Sequence, residues 1–508
     1  MDKVAVLDFG GQYSHLIARR VREVGVYSEV LAPDVDVERL NEMDGLKGII
    51  LSGGASSVYE ESSPRSDPDL LELDIPVLGI CYGHQLIAHQ VGGDVHSATS
   101  GEYGNTDLDI TSSEGLLSGL NSPMNVWMNH KDRVREMPDG YRVIGSTPNS
   151  PVASFQNEVK KIFGVQFHPE VTHTEEGKKI FKNFVLEICG ARPEWNISDL
   201  SQKIIEEAGE RLEGHKAMIG LSGGVDSSTA ASLVSRAVGE NLIAVFVDTG
   251  LMRKKEKEFM EKNFRDSNLD LRLLDRREDF FKTLSGVRDP EEKRSLIGEK
   301  FIDIFEEVAA EEDVDVLIQG TIYSDRIESG ITKHSDTIKS HHNVGGLPEE
   351  MQLEVYEPLR DLYKDEVREL AGELGLTDEI ISRHVFPGPG LAIRIIGEVT
   401  PERAEIVRES SYIVEEELRR EGLYEDLWMA FTVLLSVKSV GIQGDLRSYK
   451  YPLVLRIVES KDAMTANFAK LPYPLLEKIS TRITNEIDNV NRVVYDISNK
   501  PPSTMEWE

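Results

Sequence analysis

Two doubly wound α/β domains with parallel sheets, followed by a small α+β module, are the architecture predicted for this chain. Three observations predict it. Short apolar runs alternate with helical patterns from residue 1 to about 190. A second alternation of the same kind starts at Lys216, and the pattern changes again after about residue 383. The expected domains are therefore 1–194, 195–383 and 384–508.

In the first stretch, VAVLDF (4–9), GIILSG (48–53), PVLGIC (76–81) and KIFGVQF (161–167) read as buried strands, each closing at a polar or glycine-rich loop. A polar connector near Arg192-Pro193-Glu194 leads to a helical stretch from Ile197 to Leu212. KAMIGLSGG (216–224), NLIAVFVDTG (241–250), LDLRLLD (269–275) and VDVLIQG (314–320) supply the second set of strands. PGPGLAIRIIG (387–397) opens the last region. There a mid-chain strand is predicted over 433–444 and another over 451–460, then an amphipathic helix over 474–488 and a final strand over 491–498. No internal repeat or low-complexity tract is present.

Composition excludes several classes. The chain has 508 residues, with 57 basic and 89 acidic, for a net charge of −32. Duplex nucleic acid is not an expected partner of so acidic a protein without a long basic run. No apolar stretch reaches the ~20 residues of a membrane span, and Met1 runs directly into a strand-like segment, so a cytoplasmic protein is expected. The two cysteines, Cys81 and Cys189, are too few for a disulfide framework. The acidic excess fits a salt-rich cytosol and an acidic protein of ordinary habitat equally well.

Gly79-Ile80-Cys81-Tyr82-Gly83 stands between an apolar strand and a helical stretch, His84 to Val91. Small residues on both sides of a cysteine suit a sharp strand-to-helix turn that exposes the thiol, and a helix N-terminus favours the thiolate. The alternative is a buried structural cysteine, the commoner fate of a lone one. A partner favours the nucleophile: Pro169 holds His168 extended, so His168 and Glu170 can point the same way, as base and orienting carboxylate. Ser52-Gly53-Gly54 offers backbone N–H groups for an oxyanion, together with that of Tyr82. His130 and His173 read as hydrogen-bonded or surface residues.

These strings, with the opening Asp8-Phe9-Gly10-x-Gln12-Tyr13, resemble the triad-type class I glutamine amidotransferases. The resemblance implies attack of Cys81 on a glutamine amide, release of ammonia, and Gln85 beside the bound glutamine. Ala55 stands where members often carry Pro.

Ser222-Gly223-Gly224-Val225-Asp226-Ser227-Ser228 follows a clean strand and precedes a helical stretch, which is the layout of an anion-holding nest. It lacks the lysine and the spacing of a Walker loop. It resembles the loop of the ATP pyrophosphatases, in the adenine-nucleotide α-hydrolase-like fold, which cut ATP between the α and β phosphates. That resemblance implies Mg²⁺ with ATP, held near Asp226, and adenosine at Val247-Asp248-Thr249-Gly250. A polar tract from Gly320 to Pro348 has no regular period and reads as a lid, from which Lys339 could reach a phosphate.

The lid, the Phe386-Pro387-Gly388-Pro389-Gly390-Leu391 string and the terminal Lys500-to-Glu508 segment resemble the glutamine-hydrolysing GMP synthases almost end to end. Small departures are Ser324, Thr249 and His84. What the resemblance implies is XMP as ammonia acceptor, with Arg294, Gln443, Asp445, Lys500 and Glu506 at XMP, and a homodimer formed through the C-terminal domain. Two alternatives stand beside it: another glutamine-dependent amidoligase such as an NAD synthetase, and a non-catalytic nucleotide-binding regulatory protein.

Overall fold

The computed structural model describes residues 1–112, 114–265, 269–323, 325, 353–443, 445–460 and 466–508. The chain forms two compact units, one covering Met1–Asp199 and the other running from Leu200 to Glu508.

In the first unit, apolar runs that are largely buried on both faces become parallel strands β1 (Lys3–Leu7), β3 (Leu46–Leu51) and β4 (Val77–Ile80), with the half-buried β2 (Tyr27–Leu31) parallel to β1 at the sheet edge. The chain then leaves the sheet through a long antiparallel ribbon, β5 (Asp94–Ile110) with β6 (Met124–Glu136). It returns through β7 (Arg142–Ser146) and β8 (Ser154–Asn157) to β9 (Ile162–Val165), which lies parallel to β4. The order is β2-β1-β3-β4-β9-β8-β7-β5-β6. One apolar layer runs from Val4 and Leu78 to Phe184, and another from Leu7 and Leu51 to Phe155. The four expected strands are present. β5 and β7 do not stand out in sequence because they are antiparallel and mix polar with apolar residues, and β8, though buried, is four residues long and half polar.

In the second unit, β10 (Ala217–Gly220), β11 (Leu242–Asp248), β12 (Asp270–Asp275), β13 (Val316–Ile318) and β14 (Glu354–Tyr356) form a wholly parallel sheet in the order β12-β11-β10-β13-β14. The order reverses at β10, the switch point where open α/β sheets bind ligands.

The last sheet is built from β15 (Met429–Leu434), β16 (Ser439–Gln443), β17 (Leu446–Glu459), β18 (Asn467–Phe468) and β19 (Val490–Tyr495). The single strand expected over 433–444 is in fact two. β15 pairs with β17 from Leu453 onward, whereas β16 pairs with it only up to Lys450. Pro452, between these stretches, has no N–H to carry the ladder through, and the β17–β19 register shifts there too. The 387–397 string forms a 3₁₀ turn, Gly390–Arg394. One apolar core joins Met218, Phe280 and Ile304 to Leu391, Leu455 and Val490, so it crosses the boundary expected at 383/384. Among the described residues no helix is long and apolar enough to cross a membrane.

Arg456, fully buried on β17, is the polar tie of this unit. It donates to the carbonyls of Ser498 (2.6 Å) and Thr504 (2.8 Å) and pairs with Asp496 at 3.2 Å. Removing one member of a buried pair strands the other, at a cost of about 3–5 kcal/mol. Arg456→Met is therefore expected to destabilise the second unit by that amount in urea unfolding, read by near-UV circular dichroism.

Candidate active sites at the strand ends

Cys81 follows β4 and caps the helix Tyr82–Gln90 with φ 53°, ψ −102°, a backbone that a side-chain-bearing residue rarely adopts. Its neighbours make the turn possible. A Cβ on Gly79 would lie 2.5 Å from the Gly83 carbonyl, and one on Gly83 would lie 2.3 Å from the Leu51 carbonyl. Strand, turn and helix approach so closely that only glycine fits at both positions.

Gly53 lies against both halves of the machinery, because a Cβ there would be 3.4 Å from His168 Cε1 and 3.7 Å from Cys81 Cβ. His168 Nδ1 meets Glu170 Oε1 at 2.7 Å, and Nε2 is buried and free of any good protein hydrogen bond. Cys81 and His168 thus flank Gly53, and Glu170, behind His168, is wholly buried. Burial opposes protonation of His168, but Glu170 and Cys81 outweigh it and hold the imidazole well above its ordinary value. Arg20 Nε donates to the Glu170 carbonyl at 2.8 Å, and the Tyr13 ring sits edge-on to His168 at 5.2 Å.

The Ser52-Gly53-Gly54 loop, expected to meet an oxyanion, is held by the Asp8 motif. Ser14 Oγ donates to Asp8 Oδ1 (2.6 Å) and lies 3.1 Å from Ser52 Oγ, and Phe9 N–H donates to Ser52 Oγ at 3.0 Å. Gly83 N–H donates to the Ser52 carbonyl at 3.0 Å, which joins the loop to the nucleophile helix. The N–H of Tyr82, first in that helix, has no intrahelical acceptor. Gly54 packs so tightly that a Cβ would fall 2.7 Å from the Phe9 carbonyl, a crowding that no motif foretold.

Gln85 is buried; its Nε2 donates to the Asp132 carbonyl (2.8 Å) and to Gln166 Oε1 (3.1 Å), so only its oxygen remains for a ligand. Gln166 reaches Cys81 Sγ at 3.8 Å and was not singled out from sequence. His130 contacts Asp132 O at 2.8 Å and Glu102 at 3.1 Å. Burial disfavours the Glu102 carboxylate, but hydrogen bonds from His130, Ser150 and Thr147 prevail and bring it down to about 2. His173 lies against Trp127, with ring centroids 4.5 Å apart and the planes tilted by 35°. His84 is wholly buried against Phe155, which pushes its pKa down to about 3 and keeps it neutral.

In the second unit the Ser222–Ser228 loop leaves β10 and enters the helix Val225–Val238. Ser222 Oγ and Ser227 Oγ are 3.1 Å apart, and Ser228 Oγ donates to the Gly224 carbonyl at 2.8 Å. Gly223 has φ +74°, and a Cβ there would strike Glu256 Oε1 at 2.3 Å. Arg383 pairs with Glu256 at 2.7 Å and donates to the Gly223 carbonyl at 2.9 Å. Lys364 Nζ lies 2.5 Å from Asp226 Oδ2, and Asp226 Oδ1 is buried without a partner. Neither Arg383, Glu256 nor Lys364 stands in a string that sequence reasoning used, because their meeting is tertiary. Among the described residues no group of three His, Cys, Asp or Glu side chains is placed to hold a metal. Asp248 and Thr249 close the end of β11, accepting from the N–H groups of Gly250 and Leu251.

Of the residues expected at XMP, Glu506 is held by Arg394 through two contacts (2.7 and 3.0 Å), and Arg294 pairs with Glu291 at 2.6 Å. Lys293, beside Arg294, is fully buried and pairs with Glu508. The terminal segment and the helix Pro290–Glu312 therefore meet. Lys500 bridges to Ala466. Gln443 ends β16, and Asp445 is exposed at φ 61° on the turn into β17; no hydrogen bond or ion pair joins Asp445 to the terminal segment among the described residues. Lys339 and most of the 321–348 tract lie outside the described residues.

Sheet order and site define a class: a class I glutamine amidotransferase joined to an ATP pyrophosphatase unit. The family of class I glutamine amidotransferases matches residues 5–188, NAD synthase matches 197–271, and the GMP synthase C-terminal domain matches 416–507. The glutamine-hydrolysing GMP synthase of Carboxydothermus hydrogenoformans is 52% identical over 508 residues, covering 100% of this chain and 99% of its own. That of Symbiobacterium thermophilum is 52% identical over 510 residues with the same coverage. The solved structure of a putative GMP synthase component from Thermoplasma acidophilum is 38% identical, covers 37% of this chain and 94% of its own, and superposes with a TM-score of 0.34. The chain belongs to the glutamine-hydrolysing GMP synthases, ligases that make GMP with glutamine as nitrogen donor.

The raised His168 value has a sign. A group that binds its proton more tightly when folded stabilises the fold fully below its ordinary pKa of 6.5, and that contribution is lost as pH rises through the raised folded value. The gap in thermal midpoint between wild type and His168→Gln is expected to be widest below pH 6.5 and to shrink in alkaline solution. A gap independent of pH would mean that the imidazole is neutral.

Proposed function

We propose that residues 1–194 release ammonia from glutamine, residues 195–383 activate XMP with ATP, and residues 384–508 complete the nucleotide pocket and dimerise, in a cytoplasmic enzyme. The buried Cys81–His168–Glu170 arrangement at a strained turn carries this reading. Cys81 attacks the glutamine side-chain carbonyl. Its oxyanion is met by N–H groups of the Gly54 loop and Tyr82, and His168 gives a proton to the departing ammonia. Glu170 holds the imidazole in place. Water then cleaves the γ-glutamyl thioester, with His168 as base, and glutamate leaves.

In the second unit the Ser222–Ser228 loop and the start of its helix hold the pyrophosphate part of ATP. The XMP 2-oxygen attacks the α-phosphate and pyrophosphate leaves; ammonia then displaces AMP at C2. Mg²⁺ bound with ATP would offset the charge of its phosphates. The unpartnered Asp226 Oδ1 suits a hard cation that takes its remaining ligands from phosphate and water. Lys364, already at Asp226, stands where a phosphate would lie. Arg294, Lys500 and Glu506, with Gln443 and Asp445 from the hairpin, are the proposed XMP set, and Lys339 a lid residue near the adenylate.

The test follows GMP and AMP formation from XMP, ATP and Mg²⁺. Wild type is expected to use glutamine or ammonium, and Cys81→Ala ammonium alone, with glutamine-dependent activity down by at least ~10³-fold. AMP release with another acceptor while XMP stays inert would assign the chain to a different amidoligase.

For the dimer, the β16–β17 hairpin presents Val440, Ile442 and Tyr449 on one face, and Ile442 is 77% exposed. Such a row on a monomer invites a partner surface. Ile442→Asp is expected to convert a dimer to a monomer in sedimentation, and a wild type that is itself monomeric would count against the interface.

A further inference from the structure

Gln166 lies just beyond β9, two residues before His168, and is completely buried. The orientation of its amide follows from a backbone group that can only accept. The Asp132 carbonyl meets the Gln85 side chain at 2.8 Å, so that end of Gln85 is its NH₂. The second hydrogen of this NH₂ points to the Gln166 amide at 3.1 Å, which must present oxygen. The other end of Gln166, its NH₂, then faces Cys81 Sγ at 3.8 Å, a normal length for an N–H donor to sulfur. Gln166 N–H also donates to the Ala153 carbonyl at 2.8 Å, which fixes the main chain beneath.

We propose that Gln166 is a positioning residue for Cys81: its side-chain NH₂ donates to the sulfur and holds it aimed, with Gln85 and the Asp132 carbonyl setting the direction of the amide. The proposal rests on Cys81 being the nucleophile. A neutral N–H donor favours thiolate over thiol, because a bond to a charged acceptor is the stronger one. His168 supplies charge, while Gln166 supplies direction from a second side. The Asn129 carbonyl, 3.8 Å from Sγ, can accept from the thiol but not stabilise the thiolate, so the two amide groups act in opposite senses. The titratable groups facing this spot are His168, with Glu170 behind it, and His84, which burial keeps neutral.

The test uses the full chain with Gln166→Leu and Gln85→Met. For Gln166→Leu, glutamine-dependent kcat is expected to fall about tenfold to a hundredfold, the worth of one hydrogen bond to a charged group, with KM little changed. Ammonium-dependent GMP formation stays at the wild-type level, which reports an intact second unit. The pH profile of Cys81 alkylation by iodoacetamide moves to higher pH. Gln85→Met frees the Gln166 amide to turn its oxygen toward sulfur, and the profile moves in the same direction. Profiles that superpose on wild type in both variants overturn the proposal, as does a rise in KM at constant kcat, which would make Gln166 a substrate contact. Glutamine-dependent activity that survives Cys81→Ala instead overturns the reading of the nucleophile itself.

Discussion

At the end of β4 the backbone of Cys81 is held at a positive φ that costs on the order of 1–3 kcal/mol, and the amidotransferase site is arranged around that turn. The strain persists because packing over-determines it. Gly79 and Gly83 bring strand, turn and helix within 2.5 Å of where a Cβ would stand, and Gly83 presses on Leu51 of β3. The sulfur on this turn meets Gln166 beyond β9 and the Asn129 carbonyl of β6. The β1 loop braces the β3 loop, the β3 loop supplies Gly53 and Gly54, and β9 runs on to Gln166 and His168. Parallel strands all end at the same edge, so groups distant in sequence converge there without a dedicated scaffold.

The second unit repeats this logic with a different payload. The strand order reverses at β10, and the glycine-rich loop sits at that switch point with a helix N-terminus behind it. Its shape is enforced from outside the loop: Arg383 and Glu256 occupy the space beside Gly223, leaving no room for a side chain there. Here a chain of net charge −32 concentrates cations. Lys364 and Arg383 border the loop, while Lys293 and Arg394 reach the terminal segment through Glu508 and Glu506. At these separations local charge outweighs the distant acidic surface, which salt screens beyond about 10 Å. Each of these four cations has a carboxylate partner.

Much of both sites was legible because catalytic chemistry compresses into short strings. A cysteine between glycines, a His-Pro-Glu at a strand end and a serine-glycine loop before a helix each carry their geometry locally. The same holds for the strands, whose two-sided burial writes continuous apolar runs. The β5–β6 ribbon escaped notice because half of each strand faces water and its composition is that of a loop. The division of 433–444 into two strands escaped because its cause, Pro452, lies on the partner strand.

By itself, then, the sequence determined the class of fold, and it marked the proposed nucleophile with its base and carboxylate and the proposed pyrophosphate loop, since each depends on neighbours in the chain or on the periodicity of buried faces. Only the tertiary structure decided which groups support them: Gln166 at the sulfur, Arg20 on the Glu170 carbonyl, Glu256 and Arg383 at Gly223, Lys364 at Asp226, and Arg394 on Glu506. Gln166 stands 85 positions from Cys81 in the chain, and Arg383 stands 160 from Gly223. A lone arginine or glutamine has no local signature, and its role exists only once folding has paid the entropy of bringing it there.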